Sequence, residues 1–337
     1  MAAVTTDWVL LSLAPAPPER VRAWFDSTPG LDVRVPAVRS SAAVRDAIGA
    51  ADIVVSDWSG ALRVDAADVA AAGRLAFLMS PSVGLDSIDL EALTAAGVVV
   101  ANTAGLNAAS VAEWCLAATF AVARSLAWVD RQVRDGHWPQ LELPERGSTE
   151  LAGLRVGVLG FGAVGSRVAR LFGAIGCEVA YWSRHRRPND EEAGATWLPL
   201  DDLVERSDVL VDNLSLTSET RGLIDASRLA ALPRGAIVVD AGRGGIVDHV
   251  ALFAAVEIGV LRGAAIDVFE HEPLPADSPL RRSDRILLSS HAAATTAQSI
   301  ARIFGLVGAN VRRAVAGEPV ESVVNGLDPV VRRRTPR

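Results

Sequence analysis

Three polar residues of this 337-residue chain each follow an apolar run that is typical of a buried strand. Arg243 stands in a glycine-flanked turn after one such run, His291 follows another, and Glu272 lies just past a third. In open parallel sheets, ligands bind at the carboxyl ends of the strands. A guanidinium placed there can bind and polarise an anionic group, and an imidazole can donate or accept a proton. The pattern therefore indicates acid–base chemistry on a small anionic molecule.

A glycine-rich turn joins the predicted strand Arg155–Leu159 to a helical segment that begins near Ser166. Its glycines are Gly160, Gly162 and Gly165. The first allows a tight turn, the second lets the backbone approach a pyrophosphate, and the third allows the helix to pack closely on the strand. The N–H groups at the start of the helix attract the anion. The turn therefore predicts a dinucleotide site.

The end of the next strand indicates which dinucleotide is expected. Glu178–Trp182 is followed by Ser183, Arg184 and further basic residues, and no carboxylate occurs before Asp190. An NAD site usually has Asp or Glu here, which binds the ribose 2′-hydroxyl. Hydroxyl and guanidinium groups suit a 2′-phosphate, because arginine binds phosphate through paired bonds. The sequence therefore predicts NADP(H) in preference to NAD(H).

Composition excludes several other kinds of site. The chain has no lysine, which excludes a Walker A loop and Schiff-base catalysis. Its net charge is −7, whereas nucleic-acid binding usually needs a basic face. The two cysteines, Cys115 and Cys177, are far apart and no HExxH motif occurs, so no metal site is predicted. Because no apolar stretch is long enough to span a bilayer and no signal peptide is recognisable, we expect a cytoplasmic protein without a membrane partner.

Apolar runs alternate with helical segments along the chain, which is typical of parallel strands buried on both faces. The first α/β unit has strand candidates at Trp8–Leu13, Ile53–Ser56, Leu75–Met79 and Val98–Ala101. The second has six, at Arg155–Leu159, Glu178–Trp182, Val209–Asn213, Ile237–Asp240, Gly263–Asp267 and Arg285–Ser289. Long helices are predicted from Ala108 to about Val133 and from about Thr296 to Ala316.

Four motifs occur in order along the chain, namely Gly160–Gly165, Asp240–Asp248, Asp267–Pro273 and Ser289–His291. With these motifs the chain resembles, over nearly its whole length, the D-isomer-specific 2-hydroxyacid dehydrogenases, the group of the glyoxylate/hydroxypyruvate reductases. The resemblance implies NAD(P)H-dependent interconversion of a 2-oxo acid and a D-2-hydroxy acid. It also implies an α/β fold of two doubly wound parallel-sheet domains.

The resemblance further implies how the domains are arranged along the chain. A central Rossmann NAD(P)-binding domain is expected over residues 103–292, and a smaller flavodoxin-like substrate-binding domain is formed by both termini, residues 1–102 and 293–337. An arm near residues 130–150 is expected to contact a second subunit in a homodimer. In the resembling reductases a tryptophan of this arm reaches the partner's active site, which gives Trp138 an expected role in substrate choice.

The residue roles that the resemblance implies agree with the chemistry of the side chains. His291 is expected to be the general acid/base, Glu272 to hold and charge it, and Arg243 to bind and polarise the substrate. The backbone N–H groups of Val83 and Gly84 are expected to bind the substrate carboxylate. The expected cofactor-binding residues are Gly160, Gly162, Ala163, Val164, Gly165, Ser183, Arg184, Leu214, Ala241, Arg243, Asp267 and His291.

Some residues depart from the pattern of the family. Pro81 stands in the substrate loop, Asp212–Ser215 replaces a run such as His-Leu-Pro, and small residues follow His291 at Ala292–Thr296. These departures leave the substrate open. Two alternatives remain, namely NAD-dependent oxidation of a small anion such as formate or phosphite, and a nucleotide-gated, corepressor-like binding protein. Turnover of 2-oxo acids with NADPH would discriminate among the three.

Overall fold

The computed structural model describes residues 8–187 and 194–334, and Asp190 of the predicted nucleotide loop lies outside them. The chain divides into two compact units. One consists of Met1–Leu106 with Ala297–Arg337, and the other of Asn107–Thr296. The predicted domain boundaries, after residues 102 and 292, each fall four residues before these divisions.

Hydrogen bonds explain where the units divide. Thr103, the first residue after the predicted boundary, donates from its N–H to the Ser82 carbonyl at 3.4 Å, which holds this segment in the first unit. The N–H groups of Ala292 and Ala293 bind the carboxylate of Asp267, at 2.8 and 2.9 Å, and keep that segment in the second unit.

The described residues form twelve strands. They are β1 (Trp8–Ser12), β2 (Leu31–Arg34), β3 (Ile53–Val55), β4 (Phe77–Met79), β5 (Val99–Ala101), β6 (Arg155–Leu159), β7 (Glu178–Trp182), β8 (Ala195–Trp197), β9 (Val209–Asp212), β10 (Ile237–Asp240), β11 (Gly263–Ile266) and β12 (Ile286–Leu288).

The same residues form twelve α-helices. They are α1 (Pro18–Ala23), α2 (Ser41–Ile48), α3 (Ala66–Ala71), α4 (Leu90–Ala95), α5 (Ala108–Ala123), α6 (Leu126–Arg134), α7 (Leu143–Arg146), α8 (Gly165–Ala174), α9 (Leu200–Arg206), α10 (Ala226–Ala231), α11 (His249–Glu257) and α12 (Ala297–Ala316). Within residues 8–187 and 194–334, no helix has the length and apolar character needed to cross a membrane.

The first unit contains a five-stranded parallel sheet in the order β2-β1-β3-β4-β5. This is the flavodoxin-like order, and the predicted fold class is confirmed. Leu10 and Leu11 of β1 face opposite sides of the sheet and belong to different apolar clusters, as expected for a strand covered on both faces. Strand β2 was not predicted, because its charged residues Asp32 and Arg34 interrupt the apolar run.

The second unit contains a seven-stranded parallel sheet in the order β12-β11-β10-β9-β6-β7-β8. Counted from β6, this is the Rossmann order 3-2-1-4-5-6 with one more strand at the β12 edge. All six predicted strands are present, each within one residue of its predicted ends. Strand β8, only three residues long, was not predicted.

The prediction of one helix from Ala108 to about Val133 is wrong. The structure has two helices, α5 and α6, because Ser125 adopts a left-handed conformation with φ of 52° and ends the first of them. A residue in the left-handed region of the Ramachandran plot cannot continue a right-handed α-helix. The predicted arm near residues 130–150 contains the end of α6, an irregular segment and the short helix α7.

Candidate active site

The glycine turn after β6 has the geometry that a dinucleotide requires. Gly160 has φ of +85°, and a Cβ there would lie 3.0 Å from the Asn213 carbonyl oxygen. A Cβ on Gly165 would overlap the carbonyl oxygen of Gly160, so only glycine permits this contact between helix and turn. A Cβ on Gly162 would meet nothing within 4 Å, which leaves the backbone open on that side to a pyrophosphate. Helix α8 begins at Gly165, so the partial positive charge of its first turn faces the same space.

In the segment after β7, Arg184 has an acidic partner, Glu219, that the sequence did not predict. Ser183 is buried and its hydroxyl donates to the His185 carbonyl at 2.6 Å, while Trp197 donates from Nε1 to the Ser183 carbonyl at 3.2 Å. Arg184 forms an ion pair with Glu219, with 2.6 Å between Nη2 and Oε2. Both side chains are mostly exposed, and an ion pair of this kind contributes little to stability. A phosphate can therefore compete for Arg184.

His291 and Glu272 are brought together by the structure. Nδ1 of His291 lies 2.8 Å from Oε2 of Glu272, and Oε1 of Glu272 accepts a hydrogen bond from the Phe269 N–H at 2.9 Å. Half-burial alone would raise the pKa of Glu272. The bonds from His291 and Phe269, with the charges of His291 and Arg243, hold that pKa below its ordinary value. Glu272 is therefore ionised and directs Nε2 of His291 away from itself.

Asp267 fixes the loop that carries His291. Its buried carboxylate accepts hydrogen bonds from the N–H groups of Ala292 and Ala293 and from the hydroxyl of Ser289. Its carbonyl oxygen accepts the His291 N–H at 2.8 Å. His291 has φ of 55°, a strained conformation for a residue other than glycine, which costs about 1–3 kcal/mol and persists only where several contacts impose it. Asp267 was predicted to bind the cofactor, and its carboxylate oxygens are here engaged with the loop.

Arg243 lies between Gly242 and Gly244 in a turn that packs closely against neighbouring residues. A Cβ on Gly242 would overlap the carboxylate of Asp212, and one on Gly244 would overlap the backbone of Phe269. The turn therefore packs directly on the segment that leads to Glu272. Nη1 of Arg243 donates to the Gly242 carbonyl at 2.8 Å, which orients the guanidinium. Since β10, β11 and β12 run parallel, Arg243, Glu272 and His291 all follow strands at the same edge of one sheet.

Three acidic and basic residues of this edge, Asp212, Asp240 and His249, were given no role in the predicted site, although Asp212 was named as a departure from the family pattern. Asp212 and Asp240 end neighbouring strands, and Oδ2 of Asp240 lies 2.8 Å from Nε2 of His249. Of the residues that were predicted to contact the cofactor, Ala241 follows β10 directly and Leu214 lies two residues beyond the end of β9. Within residues 8–187 and 194–334, no group of three or more His, Cys, Asp or Glu side chains is arranged to hold a metal ion. The sequence signal was an aspartate at the end of each of two consecutive apolar runs.

The predicted carboxylate loop lies in the first unit, after β4. Asn102 donates to the carbonyl of Val83, and the hydroxyl of Ser82 donates to the carbonyl of Gly84 at 2.8 Å. These bonds fix the two peptide planes that contain the N–H groups of Gly84 and Leu85. The role of the Val83 and Gly84 N–H groups stays a prediction.

The strand order, the glycine turn and the histidine–carboxylate pair at one sheet edge together define a dinucleotide-dependent oxidoreductase of the Rossmann type. The model of the D-isomer-specific 2-hydroxyacid dehydrogenase NAD-binding domain matches residues 116–293. The chain is 38% identical over 272 residues to a glyoxylate reductase of Aeropyrum pernix, a match that covers 78% of this chain and 80% of the relative. The chain belongs to the D-isomer-specific 2-hydroxyacid dehydrogenase family, as its motifs predicted, and the predicted enzyme class is confirmed with it.

Two further relatives carry different names. A D-3-phosphoglycerate dehydrogenase of Mycobacterium leprae is 39% identical over 266 residues, which are 79% of this chain and 50% of the relative, so this chain spans about half of that protein. The crystal structure of a D-lactate dehydrogenase of Aquifex aeolicus, complexed with NAD and lactic acid, superposes with a TM-score of 0.80 at 26% identity, covering 92% of this chain and 96% of that one.

Proposed function

We propose that this protein reduces a 2-oxo acid to a D-2-hydroxy acid, and catalyses the reverse oxidation, with NADP(H) as its preferred cofactor. The observation that carries the proposal is the Glu272–His291 pair, placed on the same sheet edge as Arg243 and in the same unit as the glycine turn. A proton donor, an anion-binding cation and a dinucleotide turn are the parts that this reaction needs.

Each side chain has a distinct part in the reduction. A nicotinamide cofactor held at the glycine turn after β6 would supply the hydride for the reduction. Arg243 binds the carboxylate and polarises the carbonyl oxygen through charge-assisted hydrogen bonds. His291 in its protonated form gives the proton on Nε2 to that oxygen, and the ring becomes neutral. Glu272 keeps the other proton on Nδ1, so that in the oxidative direction neutral His291 presents an unprotonated Nε2 to the hydroxyl.

The preference for NADP(H) rests on the segment after β7. Ser183 stands at the position where NAD sites have a carboxylate, and Arg184 is the nearest guanidinium. Glu219 pairs with Arg184 and weakens, without abolishing, the attraction for a 2′-phosphate. Because that ion pair is exposed, its exchange for a phosphate costs little.

We also propose that the protein forms a homodimer through the segment between α6 and α7. Trp138 is 78% exposed and Leu141 is 86% exposed, an unfavourable arrangement for large apolar side chains in water. In solution at micromolar concentration we expect a mass of two chains, and a mass of one chain for Trp138→Ala combined with Leu141→Ala. A single-chain mass for the unchanged protein contradicts the proposal. The cytoplasmic location stays a prediction.

The function is tested with a panel of substrates. Glyoxylate, hydroxypyruvate and phenylpyruvate are each mixed with NADPH or NADH, and loss of the nicotinamide absorbance is followed. Formate and phosphite are mixed with the oxidised cofactors in parallel, and His291→Ala is the matched control. Turnover of a 2-oxo acid that is lost in the control supports the proposal. Turnover of formate or phosphite alone, or none with any member of the panel, rejects it.

A further inference from the structure

Two buried carboxylates face each other at the end of the second sheet. Asp212 and Asp240 end β9 and β10, are paired in register, and are 1% and 0% exposed. Oδ2 of Asp212 and Oδ1 of Asp240 have no hydrogen-bond donor among residues 8–187 and 194–334. Because residues paired in register on neighbouring parallel strands lie side by side, the two carboxyl groups stand next to each other on one face of the sheet. Two facing acceptor oxygens can both be satisfied only if a proton lies between them.

The other oxygen of each carboxylate contacts a residue that follows its strand along the chain. Oδ1 of Asp212 accepts from the Leu214 N–H at 3.0 Å, and Oδ2 of Asp240 lies 2.8 Å from Nε2 of His249. The turn that carries Arg243 packs on Asp212, since a Cβ on Gly242 would overlap its carboxylate. Asp212 therefore caps the loop that follows its own strand and also contacts the loop that carries Arg243.

The charges around the pair decide which carboxyl keeps the proton. Burial and the charge of Asp240 raise the pKa of Asp212 well above its ordinary value, although the Leu214 N–H acts in the opposite direction. Burial also raises the pKa of Asp240, while His249 and the Gly242 N–H act against this.

Titratable groups on the other packed elements also face the pair. Arg243, in the turn above, favours ionisation of Asp212. Cys115 on α5 and Asp267 after β11 are the further groups, and burial together with the charges of the three aspartates raises the pKa of Cys115. The thiol is therefore neutral. The arrangement favours a neutral Asp212 and an ionised Asp240.

We propose that Asp212 and Asp240 share one proton at neutral pH, with Asp212 as the donor, and that this bond joins the loops of Leu214 and Arg243 and so positions the guanidinium. The positioning part of the proposal rests on the proposed function, whereas the shared proton does not. Both residues are positioning residues, since neither is placed against substrate. The pair keeps one negative charge, which faces the guanidinium of Arg243.

The first test is spectroscopic and needs no substrate. The infrared spectrum of the full chain at neutral pH is expected to contain the carbonyl stretch of a protonated carboxylic acid, and Asp212→Asn is expected to remove it. Asp208→Asn is the matched control, because Arg155 holds the pKa of Asp208 below its ordinary value and that carboxyl is ionised. Absence of the band from the unchanged protein, or its persistence in Asp212→Asn, overturns the proposal.

The second test uses the pH dependence of stability. The folded pair keeps a proton that the unfolded chain releases above the ordinary pKa of aspartate, so folding of the unchanged protein weakens as pH rises. Asp212→Asn lacks this proton. The ratio of the unfolding constants, unchanged protein over variant, is expected to rise about tenfold per pH unit from roughly pH 5 towards neutral pH. A ratio that does not change with pH overturns the proposal.

The third test compares two substitutions of equal shape. In Asp212→Asn the amide can still donate to Asp240 and accept from Leu214, so kcat/KM for the 2-oxo acid is expected to stay within about threefold. In Asp240→Asn one oxygen must serve both His249 and Asp212, and kcat/KM is expected to fall by about tenfold or more. Equal effects of the two substitutions overturn the positioning role. If the chain reduces no 2-oxo acid, the proposed function fails, and the first two tests still decide on the shared proton.

Discussion

Glu272→Gln tests how the carboxylate controls the proton donor. The unchanged side chain accepts from Phe269 at one oxygen and from His291 at the other, at 2.9 and 2.8 Å. Glutamine has an oxygen in place of only one of these two acceptors, and its amide N–H₂ group must therefore face either Phe269 or His291. A hydrogen bond to a charged group contributes about 1.5–3 kcal/mol. Because the two side chains are 42% and 31% exposed, solvent screening places the value at the lower end.

This free energy predicts how far, and in which direction, the pH dependence of the reduction shifts in the variant. Reduction needs the imidazolium and declines as pH rises, and loss of the carboxylate destabilises the imidazolium. The decline in kcat/KM is therefore expected to begin about one pH unit lower, since about 1.4 kcal/mol corresponds to one unit. Glu272 does not itself titrate in this range, because its pKa is held below its ordinary value.

The assay is steady-state reduction of the best 2-oxo acid across pH, with the oxidative direction measured in parallel. Glu270→Gln is the matched control, since the carboxylate of Glu270 is exposed and lies 3.9 Å from Arg221. An unchanged pH profile, or a shift to higher pH, would refute the reasoning.

Substitutions at four further positions test the remaining roles. His291→Ala is expected to leave NADPH affinity intact and to lower kcat by about 10² to 10⁴, the contribution of a positioned general acid; near-normal turnover on a good substrate would remove His291 from this role. Arg243→Lys is expected to raise KM and lower kcat almost as much as Arg243→Ala, because an ammonium cannot form paired bonds to a carboxylate, and full activity of the lysine variant would argue against such bonding. Ser183→Asp is expected to shift the kcat/KM preference towards NADH, because the new carboxylate repels the 2′-phosphate. Glu219→Gln is expected to strengthen NADPH binding, because it removes the ion-pair partner of Arg184. A preference of the unchanged protein for NADH would contradict both predictions.

The sequence predicted the strands that form continuous apolar runs, and it missed two edge strands, β2 and β8, that contain polar residues. The central strands β6, β9 and β10 consist almost wholly of apolar residues, so their bounds could be found from composition alone. Edge strands β2 and β8 are short and contain polar residues, and their stability comes from pairing with a neighbour. The break between α5 and α6 depends on the conformation of Ser125, which has no local sequence signal.

Parts of the candidate site that repeat a motif could be predicted, whereas contacts between distant side chains could not. The glycine turn and the positions of Arg243 and His291 follow from strand ends and motif spacing. The Arg184–Glu219 ion pair joins residues 35 positions apart in loops, so only the folded chain reveals it. The use of the Asp267 carboxylate as a support for the His291 loop was also hidden, because a motif identifies a residue and leaves its hydrogen-bond partners open.

The three aspartates at the ends of β9, β10 and β11 show how register assigns different tasks to one residue type. Asp212 lies opposite Asp240, so the two carboxyls meet and are expected to share a proton. Asp240 pairs on its other side with Ile266, which places Asp267 one residue beyond that level. Asp267 therefore reaches the N–H groups of Ala292 and Ala293 and supports the proton donor. A shift of one residue in the register of β11 would remove this support and would turn every side chain of the strand to the opposite face. The parallel register thus places the Asp212–Asp240 pair next to the loop of Arg243, and Asp267 next to the loop of His291.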